Sequence, residues 1–266
     1  MILKGKRGII SGALNDQSIA WKVAELCKAE GAEIVLTNAP ISLRLGTVNE
    51  LSKKLDCQLI PADATKVEDL DNLVNKSMEI LGGKLDFVLH SIGMSVNIRK
   101  SKPYTDINYD WMQQSFDISA ISFHKMMQSL WKADAMNEWG SILALSYIGA
   151  QRVFPHYHEM SEAKALLESF ARSFGYHFGV RNHVRVNTIS QSPTPTTAGS
   201  GIKGFEEFLN YAEKMSPMGN APAEDCAKYC VSLFSDYTRY VTLQNLYHDG
   251  GFSNMGMSGQ MMEIGD

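Results

Sequence analysis

Lys6-Arg-Gly-Ile-Ile-Ser11 is a short apolar run ending in Gly12, and the reading of the chain follows from what comes next. A turn over Ala13 to Gln17 leads into Ser18-Ile-Ala-Trp-Lys-Val-Ala-Glu-Leu-Cys-Lys-Ala-Glu-Gly31. There Ile19, Val23, Leu26 and Cys27 share one helical side and Gly31 is a stop. Glu33-Ile-Val-Leu-Thr37 is a second buried strand. Strand, glycine turn, helix and strand within roughly 30 residues make a βαβ unit, the usual start of a dinucleotide-binding sheet.

The turn departs from the common GxGxxG fingerprint, since Gly12 is followed by five residues and then Ser18-Ile19-Ala20. Gly12 permits a tight turn, and Ser18 can present a hydroxyl and a backbone N–H to a pyrophosphate at the helix N-terminus. A plain N-capped helix fits the same residues. The acidic residue expected about 20 positions on, to grip a ribose, is missing. The segment Thr37 to Gly46 instead offers Asn38 for a hydroxyl and Arg44 for a 2′-phosphate or for solvent, which leaves NADH against NADPH open.

Outward from this unit the alternation continues. Leu59 to Asp63 reads as a third strand with Asp63 at its carboxyl end, Val67 to Leu81 as a helix stopped by Gly82-Gly83, and Leu85 to Leu89 as a fourth strand before His90-Ser-Ile-Gly93. Tyr109 to Trp131 reads as one long helix with Met112, Phe116, Ile121, Met126, Met127 and Leu130 at core spacing. Gly140 to Ser146 is strand five and Val184 to Ile189 strand six. Ser190 to Gly204 is a Ser/Thr/Pro/Gly-rich loop, read as a mobile lid against the plainer reading of a surface connection. Helices over Phe205 to Met215 and Glu224 to Ser235 and a strand over Thr242 to Tyr247 complete the pattern. The Met-rich tail to Asp266 is expected to pack on a neighbouring subunit or to be disordered. The fold class is α/β: one Rossmann-like domain over 1–266, a doubly wound parallel sheet of about seven strands with helices on both faces.

Strand five delivers Tyr147, and ten residues on stands Tyr157, seven before Lys164. A helix starting near Pro155 would project the phenol and the ammonium from one face, since seven residues fall within about 20° of two turns. A phenol beside a cation can donate a proton or a hydrogen bond to a developing anion. An amphipathic helix with a surface Tyr and Lys is the other reading.

Composition narrows the classes. A formal net charge of −4, with no basic cluster, argues against nucleic acid as a partner. Cys27, Cys57, Cys226 and Cys230 form no CxxC and the histidines no ligand spacing, so reduced intracellular thiols and no metal are expected. The apolar start is too short for a signal peptide and no run spans a membrane, so a soluble cytoplasmic protein is expected.

Four features taken together, Gly12-x5-Ser18-Ile19-Ala20, His90-Ser-Ile-Gly93, Leu145-Ser-Tyr147 with Tyr157-x6-Lys164, and Asp249-Gly-Gly-Phe252, carry a resemblance. The chain resembles the short-chain dehydrogenase/reductase superfamily over essentially its whole length, and within it the divergent branch of NAD-dependent enoyl-[acyl-carrier-protein] reductases. Ordinary members space Tyr and Lys as YxxxK, whereas no Tyr here has a Lys four later.

The resemblance implies NADH-dependent (NADPH possible) reduction of the trans-2 double bond of enoyl thioesters on acyl carrier protein, in a homotetramer. By the same resemblance Tyr157 meets the thioester carbonyl, Lys164 the nicotinamide ribose, and Tyr147 the substrate pocket. Gly12, Ser18, Ile19, Asp63, Ala64, Ser91, Ile92 and Gly93 match cofactor positions. Pro193, Thr194 and Thr196 match the loop over the nicotinamide and pyrophosphate, within a substrate and lid region at about 190–215. Ser95, Met160 and Phe205 match the substrate pocket. Relatives place more basic charge after Lys203, where this chain has Glu206 and Glu207, and carry glutamine where Ala39 stands. The alternatives are a ketone or alcohol oxidoreductase of the same superfamily, against which the missing YxxxK counts, and a non-catalytic dinucleotide sensor.

Overall fold

A computed structural model of the chain describes residues 1–45, 47–197, 199 and 204–262. Its centre is a sheet in the order β3-β2-β1-β4-β5-β6-β7, with every pair parallel. The strands are β1 (Arg7–Ser11), β2 (Glu33–Asn38), β3 (Gln58–Pro61), β4 (Leu85–His90), β5 (Met136–Ser146), β6 (Arg185–Gln191) and β7 (Asn245–His248). The helices α1 (Ile19–Ala29), α2 (Pro40–Leu45), α3 (Val48–Lys54), α4 (Val67–Leu81), α5 (Val96–Arg99), α6 (Tyr109–Phe116) and α7 (Ser122–Lys132) fall between β1 and β5. After β5 come α8 (Met160–Asn182), α9 (Phe205–Met215), α10 (Ala223–Phe234) and α11 (Gly259–Met262).

Continuous apolar strands are what a sheet covered on both faces requires, and alternate residues separate cleanly here. Ile9, Val35, Val88 and Ile142 enter the core under α4, α7 and α8, while Ile10, Leu36, Phe87 and Leu143 enter the core under α1 and α10. Phe87 stacks on Phe234 of α10 with ring centroids 4.5 Å apart. Gly8 makes room for it, since a Cβ there would lie 2.2 Å from the Phe87 ring.

Three expectations are corrected. The Tyr109 to Trp131 helix is interrupted by a π turn over Asp117–Ile121; Met126, Met127 and Leu130 are buried as expected, and Ser115, Ser119 and Ser122 are fully buried as well. Ser122 Oγ donates to Ile118 O (2.7 Å) and Ser119 Oγ to Met94 O (3.1 Å), so the irregular turn aims hydroxyls at the loop after β4. The second correction concerns Pro155 to Glu159, which is not helical; α8 begins at Met160, and His156 and His158 have φ of 68° and 47°. Tyr157 and Glu159 both turn inward, which residues two apart on a helix, about 200° apart around the axis, cannot do. Tyr157 and Lys164 therefore do not stand on one helical face. In the third, β6 runs on to Gln191 and takes the start of the expected lid. Ser192 N then donates to His248 O and Ser192 Oγ accepts from Ala221 N, so this part is fixed. Residues 198 and 200–203 of the lid lie outside the described residues. The tail as far as Met262 packs on α9 of its own chain, where Ser258 Oγ donates to Lys214 O, and 263–266 lie outside the described residues.

Arg185, at the start of β6, is almost fully buried and donates to Leu233 O (2.9 Å), Thr238 O (3.1 Å), Thr238 Oγ1 (2.7 Å) and Trp139 O (3.3 Å). It satisfies the end of α10 and the loop to β7. Arg185→Met strands these buried acceptors at about 1 kcal/mol or more each. Urea unfolding at fixed protein concentration is expected to show a loss of roughly 3 kcal/mol; a loss under 1 kcal/mol contradicts the assignment.

Candidate active site

In a parallel sheet the strand order reverses where connections leave in opposite directions, and ligands bind outside the carboxyl ends at that point. Here the reversal lies between β1 and β4, whose last residues Ser11 and His90 are paired. The two following turns touch. Gly12 has φ +96°, and a Cβ on it would lie 1.9 Å from Ser91 O, so only glycine fits.

A cavity of about 230 Å³ opens at these strand ends. From the β4 turn it is lined by Ser91, Ile92, Gly93 and Ser95, from the stretch after β5 by Tyr147 and Tyr157, and from α8 by Met160 and Lys164. Pro193, Thr194 and Thr196 after β6 and Phe205 of α9 close it, and Ile19 of α1 reaches it. Thirteen of the residues singled out in the sequence thus meet in one place. Gly12, Ser18, Asp63 and Ala64 are outside its lining. Gly12 shapes the turn behind it. Ser18 Oγ accepts from Leu14 N (3.1 Å) and Asn15 N (3.2 Å), and Ser18 N donates to Asn15 O. Its hydroxyl and amide are therefore engaged in the turn, and the helix N-terminal donors left for an anion are those of Ile19 and Ala20. Asp63 Oδ1 accepts from Thr65 N and Thr65 Oγ1, and Ala64 packs against the core beside α4. Asn38 Nδ2 donates to Ala13 O, which ties β2 to the first turn and takes it away from a ligand.

Lys164, buried, donates to Leu145 O at 2.7 Å, leaving its other N–H groups free toward the cavity. A Cβ on Gly93 would lie 3.8 Å from its Nζ. Burial lowers the ammonium to about 8, opposed by the nearby Glu168 carboxylate. Tyr147 and Tyr157 meet edge to face with centroids 5.0 Å apart, and Gly149 makes the space, since a Cβ there would lie 2.9 Å from both rings. Burial raises both phenols above their ordinary value; the Lys164 charge is not what sets Tyr157. Tyr157 is therefore a protonated donor. The Tyr147 hydroxyl is buried with no partner among the described residues. His90, lowered to about 3 first by burial and then by the Lys164 charge, is neutral. Its Nε2 lies 2.8 Å from Ser122 Oγ, whose own proton goes to Ile118 O, so Nε2 carries the hydrogen in this network.

Reading the sequence missed Glu159. It is fully buried, and its Oε1 accepts from Ser95 Oγ (2.7 Å), Ser115 Oγ (3.0 Å) and Asn97 Nδ2 (3.1 Å), while Oε2 has no partner among the described residues. The clasp joins the loop after β4, α6 and the entry to α8, behind the apolar cluster of Ile98, Met160, Ala163, Phe116 and Tyr157. A carboxylate at a helix start reads as surface charge; only the buried serine face of α6 hints at it. Arg99, Phe208 and Gln191 also line the cavity and were not singled out.

The fold and cavity define the class: a Rossmann-like chain with a dinucleotide-type site at the sheet reversal. A family model described as "Enoyl-(Acyl carrier protein) reductase" matches residues 12–253. The chain is 35% identical over 258 residues to "Enoyl-[acyl-carrier-protein] reductase [NADH] 2" of Rhizobium meliloti (strain 1021), covering 96% of this chain and 94% of that one. It is 34% identical over 266 residues to "Enoyl-[acyl-carrier-protein] reductase [NADH] FabI" of Aquifex aeolicus (strain VF5), covering 99% and 97%. A crystal structure of a FabI–NADH complex from Alistipes finegoldii superposes with a TM-score of 0.98 at 62% identity, covering all of this chain and 94% of that one. The chain belongs to the enoyl-[acyl-carrier-protein] reductase family.

Two measurements test the site. With its folded pKa lowered to about 8 from 10.5, Lys164 binds fewer protons folded than unfolded between those values. Its contribution to stability is complete above 10.5 and lost as pH falls through about 8, so stability gains up to about 1.4 kcal/mol per pH unit across that window. Urea unfolding against pH is expected to lose this slope in Lys164→Met; an unchanged slope argues against a buried ammonium. Glu159→Leu strands the Ser95 and Asn97 donors, while the Ser115 hydroxyl turns to Trp111 O, and is expected to cost roughly 2 kcal/mol or more. Glu159→Gln, which keeps the accepting oxygen, stays within about 1 kcal/mol of wild type.

Proposed function

We propose that the protein reduces the trans-2 double bond of enoyl thioesters borne on acyl carrier protein, with NADH, as the last step of a fatty acid elongation cycle. The observation that carries this reading is one cavity holding two protonated phenols and a buried ammonium. The relatives' names, which print NADH, support the cofactor.

The residues fit a dinucleotide: Gly12 lets the first turn close against the Ser91 carbonyl, the Ile19 and Ala20 N–H groups at the start of α1 are left for an anion, and the Lys164 ammonium has donors to spare. Lys164 with Ser91, Ile92 and Gly93 would hold the nicotinamide ribose end. Ile19, Thr194 and Thr196 would flank the pyrophosphate, with Asp63 and Ala64 toward the adenine. When bound, the reduced nicotinamide supplies hydride to the enoyl β-carbon. The chain's own part is electrostatic. Tyr157 donates a hydrogen bond to the thioester oxygen as negative charge collects there, and the unpartnered Tyr147 hydroxyl is placed to add a second donor. Both phenols stay protonated because burial disfavours their anions, so they are ready donors at neutral pH. Met160, Ile98, Phe205 and Phe208 give the acyl chain an apolar slot and keep water from the enolate.

We infer further that 1–266 acts as one catalytic domain, that the protein works in the cytoplasm, and that it assembles as a homotetramer. No helix among the described residues is long and apolar enough to cross a membrane.

Purified protein given crotonoyl thioester and NADH is expected to consume the reduced nicotinamide, with less turnover on NADPH. Tyr157→Phe should lower kcat about 10²–10³-fold at nearly unchanged NADH affinity. Reduction of acetoacetyl thioesters in place of crotonoyl would overturn the reading in favour of a ketone reductase, and NADH binding without turnover in favour of a sensor.

A further inference from the structure

The rim of the active-site cavity is electrically lopsided. On α9, Phe205 and Phe208 turn into the cavity and leave Glu206 and Glu207 exposed outside. Across from them, Arg99 lines the cavity while remaining exposed, and Lys100 follows it; neither forms an ion pair among the described residues.

Beyond Arg99 lies a second cavity of about 170 Å³, lined by Ile98, Ser101, Lys102, Pro103, His156 and His158. Ile98 lines both, so the two cavities adjoin at this side chain. The two histidines flank Tyr157, and their left-handed backbones are what turn both toward Lys102 while Tyr157 turns the other way. His158 Nδ1 is buried with no partner among the described residues. Three acids lie nearby, and Oε2 of both Glu159 and Glu162 has no partner among the described residues. Asp106 lies 3.8 Å from Lys102 as an i,i+4 neighbour and is 80% exposed, a weak pair that a better anion displaces. Glu162 accepts from the Tyr104 hydroxyl at 2.6 Å, and Glu159 is held by its three donors. Burial, joined by His156, lowers the His158 pKa against the opposing Glu159 and Glu162 carboxylates, so this imidazole lines the cavity as a neutral ring.

A cavity lined by an ammonium, two imidazoles and a hydroxyl, adjoining a thioester site, fits a phosphate. We propose that the second cavity binds the phosphodiester of the phosphopantetheine arm that carries the enoyl thioester, with Lys102, His156 and the Ser101 hydroxyl as its ligands. The arm then enters over Ile98 on the Arg99 side, away from the acidic start of α9. This rests on the enoyl thioester reading of the main cavity. Recognition of the phosphate adds to binding without touching the reacting atoms, so it acts on ligand affinity.

Calorimetric titration of the whole protein with butanoyl-4′-phosphopantetheine and with butanoyl-pantetheine isolates the phosphate. Wild type is expected to bind the phosphorylated ligand about tenfold more tightly, close to 1.4 kcal/mol. Lys102→Gln/His156→Gln should bring the ratio near unity, and Glu206→Gln/Glu207→Gln should leave it unchanged. Lys102→Gln alone, at a side chain 41% exposed, serves if the double variant does not fold. Equal affinities in wild type, or a preference that survives loss of Lys102 and His156, overturn the proposal. Turnover of crotonoyl-pantetheine by wild type is scored separately. Its absence beside an intact, Lys102-dependent phosphate preference removes the reductase reading and leaves the phosphate site standing.

Discussion

The hydrogen bond from Lys164 to the Leu145 carbonyl is the contact on which the site depends. An ammonium taken out of water is costly unless its protons are held, and burial already lowers this one to about 8. The carbonyl that holds it belongs to β5, an interior strand paired with β4 and β6, so the cation's position is set by the sheet. Glu168, one turn further along α8, is buried as well, and its carboxylate accepts from Ser146 Oγ at 2.6 Å. Successive β5 residues thus anchor the cation and its counter-charge. The link continues outward: Gln151 Nε2 lies 3.4 Å from Glu168 Oε2, and Gln151 Oε1 accepts from the Tyr247 hydroxyl at 2.6 Å, tying the edge strand β7 to the same helix.

With α8 fixed on that side, the segment before it can be irregular. A helix from Pro155 would carry Tyr157 and Lys164 on one face and send Glu159 elsewhere. The left-handed residues at 156 and 158 instead bring Tyr157 against Tyr147 and push Glu159 into the serine and asparagine clasp. Two such residues cost of order 1–3 kcal/mol each and persist only when the surroundings hold them, which the clasp and the ring contact at Gly149 do. The π turn in the neighbouring helix belongs to the same arrangement, because it aims Ser119 and Ser122 at the Met94 backbone and the His90 ring.

The periodic parts of the fold were legible in the sequence. Val67–Leu81 and Phe205–Met215 begin and end where apolar spacing and glycine stops put them, and the buried strands stand out as short apolar runs. Helical repeats and period-two burial are local, so a local pattern reports them. The cavity was legible through motifs at strand ends, since in a parallel sheet those ends converge whatever lies between. What was not legible is what depends on distant partners. Glu159 is a buried hub only because Ser95, Asn97 and Ser115 arrive from other segments, and the seven-residue Tyr157–Lys164 spacing pointed to a helical face that the chain does not form. Asn38, free in the sequence, is consumed by Ala13 O.

Of the buried polar groups without a partner among the described residues, the one that lines the active-site cavity is the Tyr147 hydroxyl. An orphaned buried hydroxyl costs about 1–3 kcal/mol, and the Tyr147 hydroxyl is one. A folded chain optimised for stability alone would replace it with Phe at little steric change. Its position beside Tyr157 in the cavity makes it a donor whose partner is supplied from outside the chain. The same logic applies to the remaining N–H groups of Lys164. Stability is given up at these atoms so that two phenols and one ammonium meet a ligand already oriented, with no protein hydrogen bond to break first.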